Sequence, residues 1–490
     1  MQKGPVHHHG VSKAHGCKHV AVSTFSKLFP DLPGLPLSVE DAALLGGPGG
    51  LKHDFDGNSP DCAIPAGYAF FAQFVDHDVT LDATTALRGA PLSNEAIAKL
   101  PNIRSASLDL DCVYGFGPEA SPHIFDPERP GRLAVAENGF DLARSPGGVA
   151  LIGDPRNDEN LFVSQMHLLF HRFHNRIFDE RLPPIPGGRA QRFEYAQESA
   201  RFHYQWLVLF DFLKRLCDPA VYEFAVGKLI AKDAAFPYFY KPAHGHLTMP
   251  VEFSVAAYRV GHTLVRSVYA ANQDQLDVEL FEDAFGALGF SEAPEELVVD
   301  WRYLLPVDDC LAPRMCKAVD PLLADELQRL PLPVVPSNSP NDRALAFRNL
   351  LRGNSLSLPS GQAVAAELAA HYPGIDTSYQ PTVPGRPDLS AQTPLFFYLL
   401  AESADRQGGE RFGAVGSALI LEVFGGMLKY CETSFLHQAE RWQPDPCISK
   451  ERYGWFSDRY REGFDYEALA RTPDYYPFDL ADVVRFVEAD

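Results

Sequence analysis

The stretch Phe70-Phe71-Ala72-Gln73-Phe74-Val75-Asp76-His77-Asp78 brackets one imidazole with two carboxylates and places a carboxamide four residues upstream of it. An imidazole can take up a proton and return it near neutral pH, and carboxylates can hold a cation. The intervening apolar residues recur with helical spacing, so Gln73 and His77 share a face. Polar groups this closely set in an apolar run must find partners or do chemistry.

Other segments carry similar potential. Ser105-Ala106-Ser107-Leu108-Asp109-Leu110-Asp111 has an oxygen-bearing side chain at every second position. That alternation fits either a half-exposed strand or a loop of hard oxygen ligands around a cation. Gly153-Asp154-Pro155-Arg156-Asn157-Asp158-Glu159-Asn160 places Asp154 to cap a helix, with Pro155 in its first turn and Arg156 and Glu159 on one face. His167, His171 and His174 follow at spacings of four and three. They have the proximity for a metal site, but structural hydrogen bonds are the expected use. Asp54-Phe55-Asp56-Gly57-Asn58 faintly resembles a calcium loop, but Pro60 and the missing terminal Glu make it a turn.

The elements that must position these groups are mostly helices. Forty prolines and 37 glycines punctuate the chain into helical blocks and irregular connections. Helices are predicted from Pro65 to Val79, from Asp154 to Glu180, from Arg192 to Cys217 and from Val251 to Ala271. Further blocks run from Asp342 to Leu351, Gln362 to His371, Pro394 to Ala404 and Gly413 to Tyr430. Strand signals are few, Arg132 to Ala136 being one, and residues 20 to 61 read as an extended arm laid over the surface. The fold class is mainly α, with no internal repeat.

The 490-residue chain can bury a sizeable core. Its 64 acidic and 43 basic residues give a formal charge of -21, which argues against nucleic acid or an anionic membrane surface as the main partner. No run approaches the roughly 20 apolar residues of a membrane span. Eight scattered cysteines have neither disulfide-scaffold nor zinc-ribbon spacing and read mostly as buried thiols. The first twenty residues carry His7-His8-His9, His15 and His19 without an apolar core, so they read as a mobile tail with some capacity for surface metal binding. The absence of a classical signal peptide points to the cytoplasm or to a non-classical export route.

Together with Gly261-His262-Thr263, these segments resemble the animal-type haem peroxidases of the peroxidase and cyclooxygenase superfamily. The resemblance covers residues 60 to 440 and rests on four motifs in the family's order. They are Gln73-Phe74-Val75-Asp76-His77-Asp78, Arg156-Asn157-Asp158-Glu159, Arg259-Val260-Gly261-His262-Thr263, and Asn349-Leu350-Leu351-Arg352 followed by Leu358-Pro359. The resemblance implies a single large multi-helix haem peroxidase domain with few short strands, in a compact bacterial-style member of the family. Its expected layout is an N-terminal arm over 1–60, the catalytic domain over 61–440 and a C-terminal extension over 441–490 packed on the same domain.

By this resemblance His77 is the distal base, Arg156 the cation that stabilises developing negative charge, and Gln73 part of the distal halide site. His262 is the axial ligand of haem iron, and Asn349 accepts its other ring proton. Arg259 and Arg352 match positions near the haem propionates. Asp76 and Glu159 match carboxylates that some members esterify to haem b. Asn160 stands where one member carries a methionine joined to haem as a sulfonium, so two links are expected and chloride oxidation is disfavoured. Asp78, with Ser105, Ser107, Asp109 and Asp111, matches a calcium site, although the Asp111 position is more often Ser.

The activity implied is reduction of hydrogen peroxide through a ferryl intermediate, with bromide, iodide, thiocyanate or phenols as donors, and a part in the response to oxidative stress. The alternatives are a fatty-acid dioxygenase or cyclooxygenase-like enzyme and a non-catalytic haem-binding scaffold. The oxygenases use a tyrosine three residues before the proximal histidine. That position is Arg259 here, and Tyr258 lies about 100° round a helix from it.

Overall fold

A computed structural model describes residues 23–54, 57–82, 86–180, 188–242, 246–282, 287–438, 442–444, 466–472 and 476–488. The histidine-rich start of the chain, Cys17, Cys447, and Phe55 and Asp56 of the expected turn lie outside these residues. The fold is mainly α, and the described residues add one short three-stranded sheet, three two-stranded ones and one extensive apolar core.

At its centre lies helix Gly67–Val79, with twelve of its thirteen residues buried. It has no side-chain cap at its start. Instead the Ala66 amide donates to Arg314 O and the Gly67 amide to Leu304 O, both at 2.8 Å, so neighbouring chain satisfies amides a free helix end would expose. Strand Asp61–Pro65, paired antiparallel with Met315–Lys317, delivers the chain to this point. A Cβ at Gly67 would lie 2.7 Å from Leu305, so this approach depends on glycine.

Helix Leu161–Glu180 packs on the central helix through interleaved rings. Phe70 stacks on Phe162 at 4.9 Å between centroids and Phe74 on Phe170 at 4.7 Å. Phe70 and Phe74, four residues apart, present one aromatic face, while Phe71 edges onto Tyr204 from Gly188–Trp206. This second helix passes into a π-helical turn, Leu207–Phe212, before Leu213–Leu216, within the span predicted as continuous helix.

The arm from Ser23 is woven into the core instead of lying over the surface. Ser23–Ser26 pairs with Pro101–Asn102 and with Met249–Pro250, and the buried Glu252 carboxylate accepts from the Leu28 and Phe29 amides. Helix Val39–Gly46 packs against Leu345–Ser355, and Leu45 is fully buried. Asp54 accepts from the amides of Asn58 and Ser59, as a turn requires.

Three predicted elements differ. The stretch Val251 to Ala271 holds a π-helical turn Phe253–Ala257 and a tight 3-10 segment Tyr258–Leu264, then becomes strand Val268–Tyr269. Arg132 to Ala136 makes only isolated bridges, from Leu133 to Phe125 and from Val135 to Leu142. The start at Asp154 is a 3-10 turn, Pro155–Asp158, set before helix Leu161–Glu180. The remaining predicted blocks appear as Pro340–Arg343 with Leu345–Ser355, then Gly361–Leu368, Leu395–Gln407 and Ala414–Tyr430.

Candidate active site

Gln73 is the one residue of the central helix that is only partly buried. Arg156, Glu159, Arg259, His262 and Arg352 are likewise partly accessible, although each borders elements that are largely buried. Contacts of Gln73 with Glu159, of Arg156 with the His77 carbonyl, of Arg259 with Asp76 and of Asn349 with His262 bring together residues that the four motifs place far apart in sequence, and the partly accessible side chains among them mark where an opening would lie.

His77 is 5% exposed, and its Nδ1 lies 2.8 Å from Asn157 Oδ1. Because that oxygen only accepts, Nδ1 carries the proton and Nε2 keeps its lone pair. No described residue hydrogen-bonds to Nε2. Burial, and next the Arg156 charge, lower the His77 pKa to about 3, so the ring is neutral and able to act as a base.

Arg156 is held from three sides. Its guanidinium donates to both oxygens of Asp154, at 3.0 and 2.8 Å, and Nη2 also donates to the carbonyls of His77 and Thr80. Those carbonyls end the central helix, where a cation is favoured by both unpaired acceptors and the helix dipole. Burial opposes the charge, but Asp154 outweighs it and raises the Arg156 pKa. The turn carrying Arg156 is clamped by Ala287–Phe290: Ala287 O accepts from the Leu161 amide and the Phe290 amide donates to Asp158 O. Between them Gly289 has φ +81, and a Cβ there would sit 2.3 Å from Asp158 O.

Asp76 and Glu159 face the same region. Asp76 Oδ2 takes 2.7 Å from Arg259 Nη1, whereas its Oδ1 is buried without a hydrogen bond. Burial pushes the Asp76 pKa up against the pull of Arg259 and Arg156. Glu159 accepts from Gln73 Nε2 at 2.5 Å, and burial raises its pKa to about 7. Asn160 Nδ2 donates to Gln73 Oε1 at 3.3 Å, tying the carboxamide to the turn.

The second histidine, His262, has its pKa lowered to about 3, first by burial and then by the Arg259 charge. Asn349 Nδ2 lies 3.1 Å from His262 Nδ1, and no described residue hydrogen-bonds to Nε2. Arg352 pairs with Asp82 at 2.8 Å. Tyr258 OH donates to Ala72 O at 3.2 Å, within a stack of Phe253 and Phe424.

A second cluster lies beyond His77. Asp78, Asp109 and Asp111 each place an oxygen within 4.8 Å of the others. Ser105 and Ser107 hydroxyls donate to Asp109 at 2.7 and 2.8 Å, so all five residues converge. The segment is an irregular turn with Leu110 at φ 62, not a strand. Burial, and then the negative charges of Asp109 and Asp111, push the Asp78 pKa well up.

The histidines on helix Leu161–Glu180 hold loops by hydrogen bonds. His174 Nε2 donates to Gly131 O and its Nδ1 accepts from Tyr114 OH; His171 Nδ1 donates to Ala134 O. His167 joins the site itself, since Asn157 Nδ2 lies 2.9 Å from its Nδ1. His167 makes the structural hydrogen bonds expected of it, but its link through Asn157 to His77 was not foreseen. The signal of that link was the amide directly after Arg156, ten residues before a histidine.

With this arrangement in place, the comparisons are specific. Residues 88–287 match the family model described as "Animal haem peroxidase". The matched region carries Arg156, Glu159, Arg259, His262 and the acidic loop, while the central helix and Asn349 lie outside it. A "Peroxidase-like protein" of Margaritifera margaritifera is 30% identical over 182 residues, 34% of this chain. The match spans only 22% of that protein's length. Peroxidase A of Dictyostelium discoideum shares the fold with a TM-score of 0.59 at 14% identity, over 95% of this chain and 93% of that one. Fatty acid alpha-dioxygenase of Oryza sativa gives 0.54 at 16% identity, over 82% and 73%, and that of Arabidopsis thaliana 0.55 at 14%, over 93% and 76%.

Proposed function

We propose that the chain is a haem-dependent peroxidase that reduces hydrogen peroxide and oxidises bromide, iodide, thiocyanate or phenolic donors. The observation that carries this reading is the pair of imidazoles, His77 held at Nδ1 by Asn157 and His262 met at Nδ1 by Asn349, each with no described hydrogen-bond partner at Nε2. The orphaned Asp76 Oδ1 is a second point of fit, since a buried oxygen without a partner is suited to a bound group.

Haem held by these residues would supply the redox chemistry by which peroxide oxidises the donor. His262 Nε2 would ligate its iron. Asn349 supports it once its amide turns by 180°, which presents Oδ1 to the Nδ1 proton without moving the chain. Arg259 and Arg352 would meet the propionates. Asp76 and Glu159 would anchor the ring edge as esters.

On the other side, His77 Nε2 takes the proton from one peroxide oxygen and returns it to the other. Arg156 Nη1, which has no described partner, faces the negative charge that develops as the oxygens separate. Because Asp154 and two carbonyls already fix the guanidinium, it needs no reorganisation. Gln73 positions solvent or the anion. Asp78, Asp109, Asp111, Ser105 and Ser107 would hold calcium and so clamp the central helix to the loop.

A fatty-acid dioxygenase is the second reading, favoured by the fold shared with the plant alpha-dioxygenases. Arg259 at the radical-tyrosine position, engaged with Asp76, supports the peroxidase instead. An absorption spectrum after haem loading, followed by peroxide-dependent bromide and phenol oxidation, tests the proposal. Failure to form a Soret band removes the haem reading, and rapid oxygen uptake with linoleate in place of peroxide turnover favours the dioxygenase.

A further inference from the structure

The His77 tautomer depends on groups well outside the opening. His77 Nδ1 meets Asn157 Oδ1 at 2.8 Å, Asn157 Nδ2 meets His167 Nδ1 at 2.9 Å, and His167 Nε2 meets His171 Nε2 at 3.0 Å. The chain ends where His171 Nδ1 lies 3.0 Å from the carbonyl of Ala134. His77, Asn157, His167 and His171 are all buried, with His167 and His171 at 0% exposure.

We propose that Asn157, His167 and His171 form a directional hydrogen-bond relay through which the Ala134 carbonyl sets the tautomer of His77. A carbonyl can only accept, so His171 must donate from Nδ1 and, being neutral, accept at Nε2. His167 then donates from Nε2 and accepts at Nδ1. The Asn157 amide must turn its nitrogen to His167 and its oxygen to His77. His77 therefore donates from Nδ1, which leaves Nε2 as the proton acceptor facing the opening.

Reversing any link reverses them all. The end of the reversed chain places the lone pair of His171 Nδ1 against the lone pair of the Ala134 carbonyl, with no proton between them. One buried hydrogen bond is lost, and its worth biases the chain about fivefold to a hundredfold toward the productive direction. Desolvation keeps both intermediate rings neutral, which the relay requires because an imidazolium has no acceptor. Asn157, His167 and His171 are positioning residues, since they act through His77. This role rests on the proposed function of His77, but the relay's polarity does not.

Ring-15N histidine labelling of the full chain, prepared without added haem, reads each tautomer directly by NMR. The expected pattern is a proton on Nδ1 of His77, Nε2 of His167 and Nδ1 of His171; any other combination overturns the relay. His171→Phe removes the carbonyl's control and should take His77 from predominantly Nδ1-protonated to a mixture in which both tautomers reach about half, the loss of that bias. His171→Gln can accept from His167 and donate to Ala134, so it should restore the wild-type tautomer. An unchanged His77 tautomer in a folded His171→Phe protein refutes the proposal. If that variant does not fold, the wild-type pattern still decides. A missing Soret band on separate haem loading would count against the peroxidase reading and leave the tautomer result standing.

Discussion

Removing divalent ions from the haem-loaded protein at pH 8 should lower its melting temperature by about 3 °C, and the same treatment at pH 5 should change it far less. The reason is the acidic cluster. Asp78 has no exposed surface, and Asp78, Asp109 and Asp111 bring oxygens within 4.8 Å of one another. Arg104 reaches Asp111 at 3.3 Å but is shared with Asp154 at 3.4 Å, so one guanidinium is set against several carboxylates. Burial raises all three cluster pKa values first; mutual repulsion adds to it at Asp78 and Asp111, and Asp111 reaches about 7.

A carboxyl whose folded pKa lies above its unfolded value binds more protons when folded. The ion-free fold therefore loses stability as pH rises from about 4 through about 7, and the loss persists above that window. Calcium replaces those protons, so its affinity rises over the same range. At a hundredfold excess over its dissociation constant, an ion stabilises the fold by about 2.7 kcal/mol. An unfolding entropy of about 2.1 cal/mol/K per residue gives about 1 kcal/mol per kelvin for this chain, hence a shift of about 3 °C. Differential scanning calorimetry with chelator, then with calcium restored, measures the shift at both pH values. No shift at pH 8, or equal shifts at both, would refute the reasoning.

Three substitutions probe the site itself. His77→Ala should slow peroxide activation by about 10²- to 10⁴-fold in stopped-flow absorbance while leaving haem content unchanged; near-normal rates would remove His77 from its role. Asp76→Val alone should leave a Soret band with the haem still retained through Glu159 in acid acetone, whereas Asp76→Val combined with Glu159→Gln should let it extract; haem that resists extraction from the double variant would remove the ester reading. Gly289→Ala forces a Cβ to 2.3 Å from Asp158 O at φ +81 and should destabilise the protein by about 1–3 kcal/mol in denaturant melts, with a matching fall in haem retention through Glu159. Unaltered stability there would mean that the loop is not the clamp described.

Much of the site was legible because its chemistry demands particular residue types at particular spacings. The motifs name His77, Arg156, His262 and Asn349 as candidates, and the structure sets Arg156 on the His77 carbonyl and Asn349 beside the His262 ring. The path of the backbone between motifs was less legible. The pattern from Val251 to Ala271 is apolar enough for a continuous helix, yet the π-helical and 3-10 turns shift its register, and Tyr269 OH then accepts from the Arg266 amide where the strand begins. The periodicity of a sequence does not encode such changes in turn size.

Arg132 to Ala136 failed as a strand for a reason that also explains the histidine triplet. Its backbone groups are claimed by helix Leu161–Glu180: Asn175 accepts from the Leu133 amide and donates to the Leu133 carbonyl, while His171 donates to Ala134 O. Side chains have taken the places a second strand would fill. Propensity counts the apolar alternation of the segment but not the polar stripe, far along the chain, that satisfies it. That stripe adjoins the rings that Phe162 and Phe170 present to the central helix, with His167 edge-on to Phe74, so one helix grips His77's helix by ring packing and reaches its imidazole through Asn157 by hydrogen bonds. A change at His171 would therefore reach the opening without touching it, because the carbonyl it holds is the fixed end from which the proton order at His77 is read.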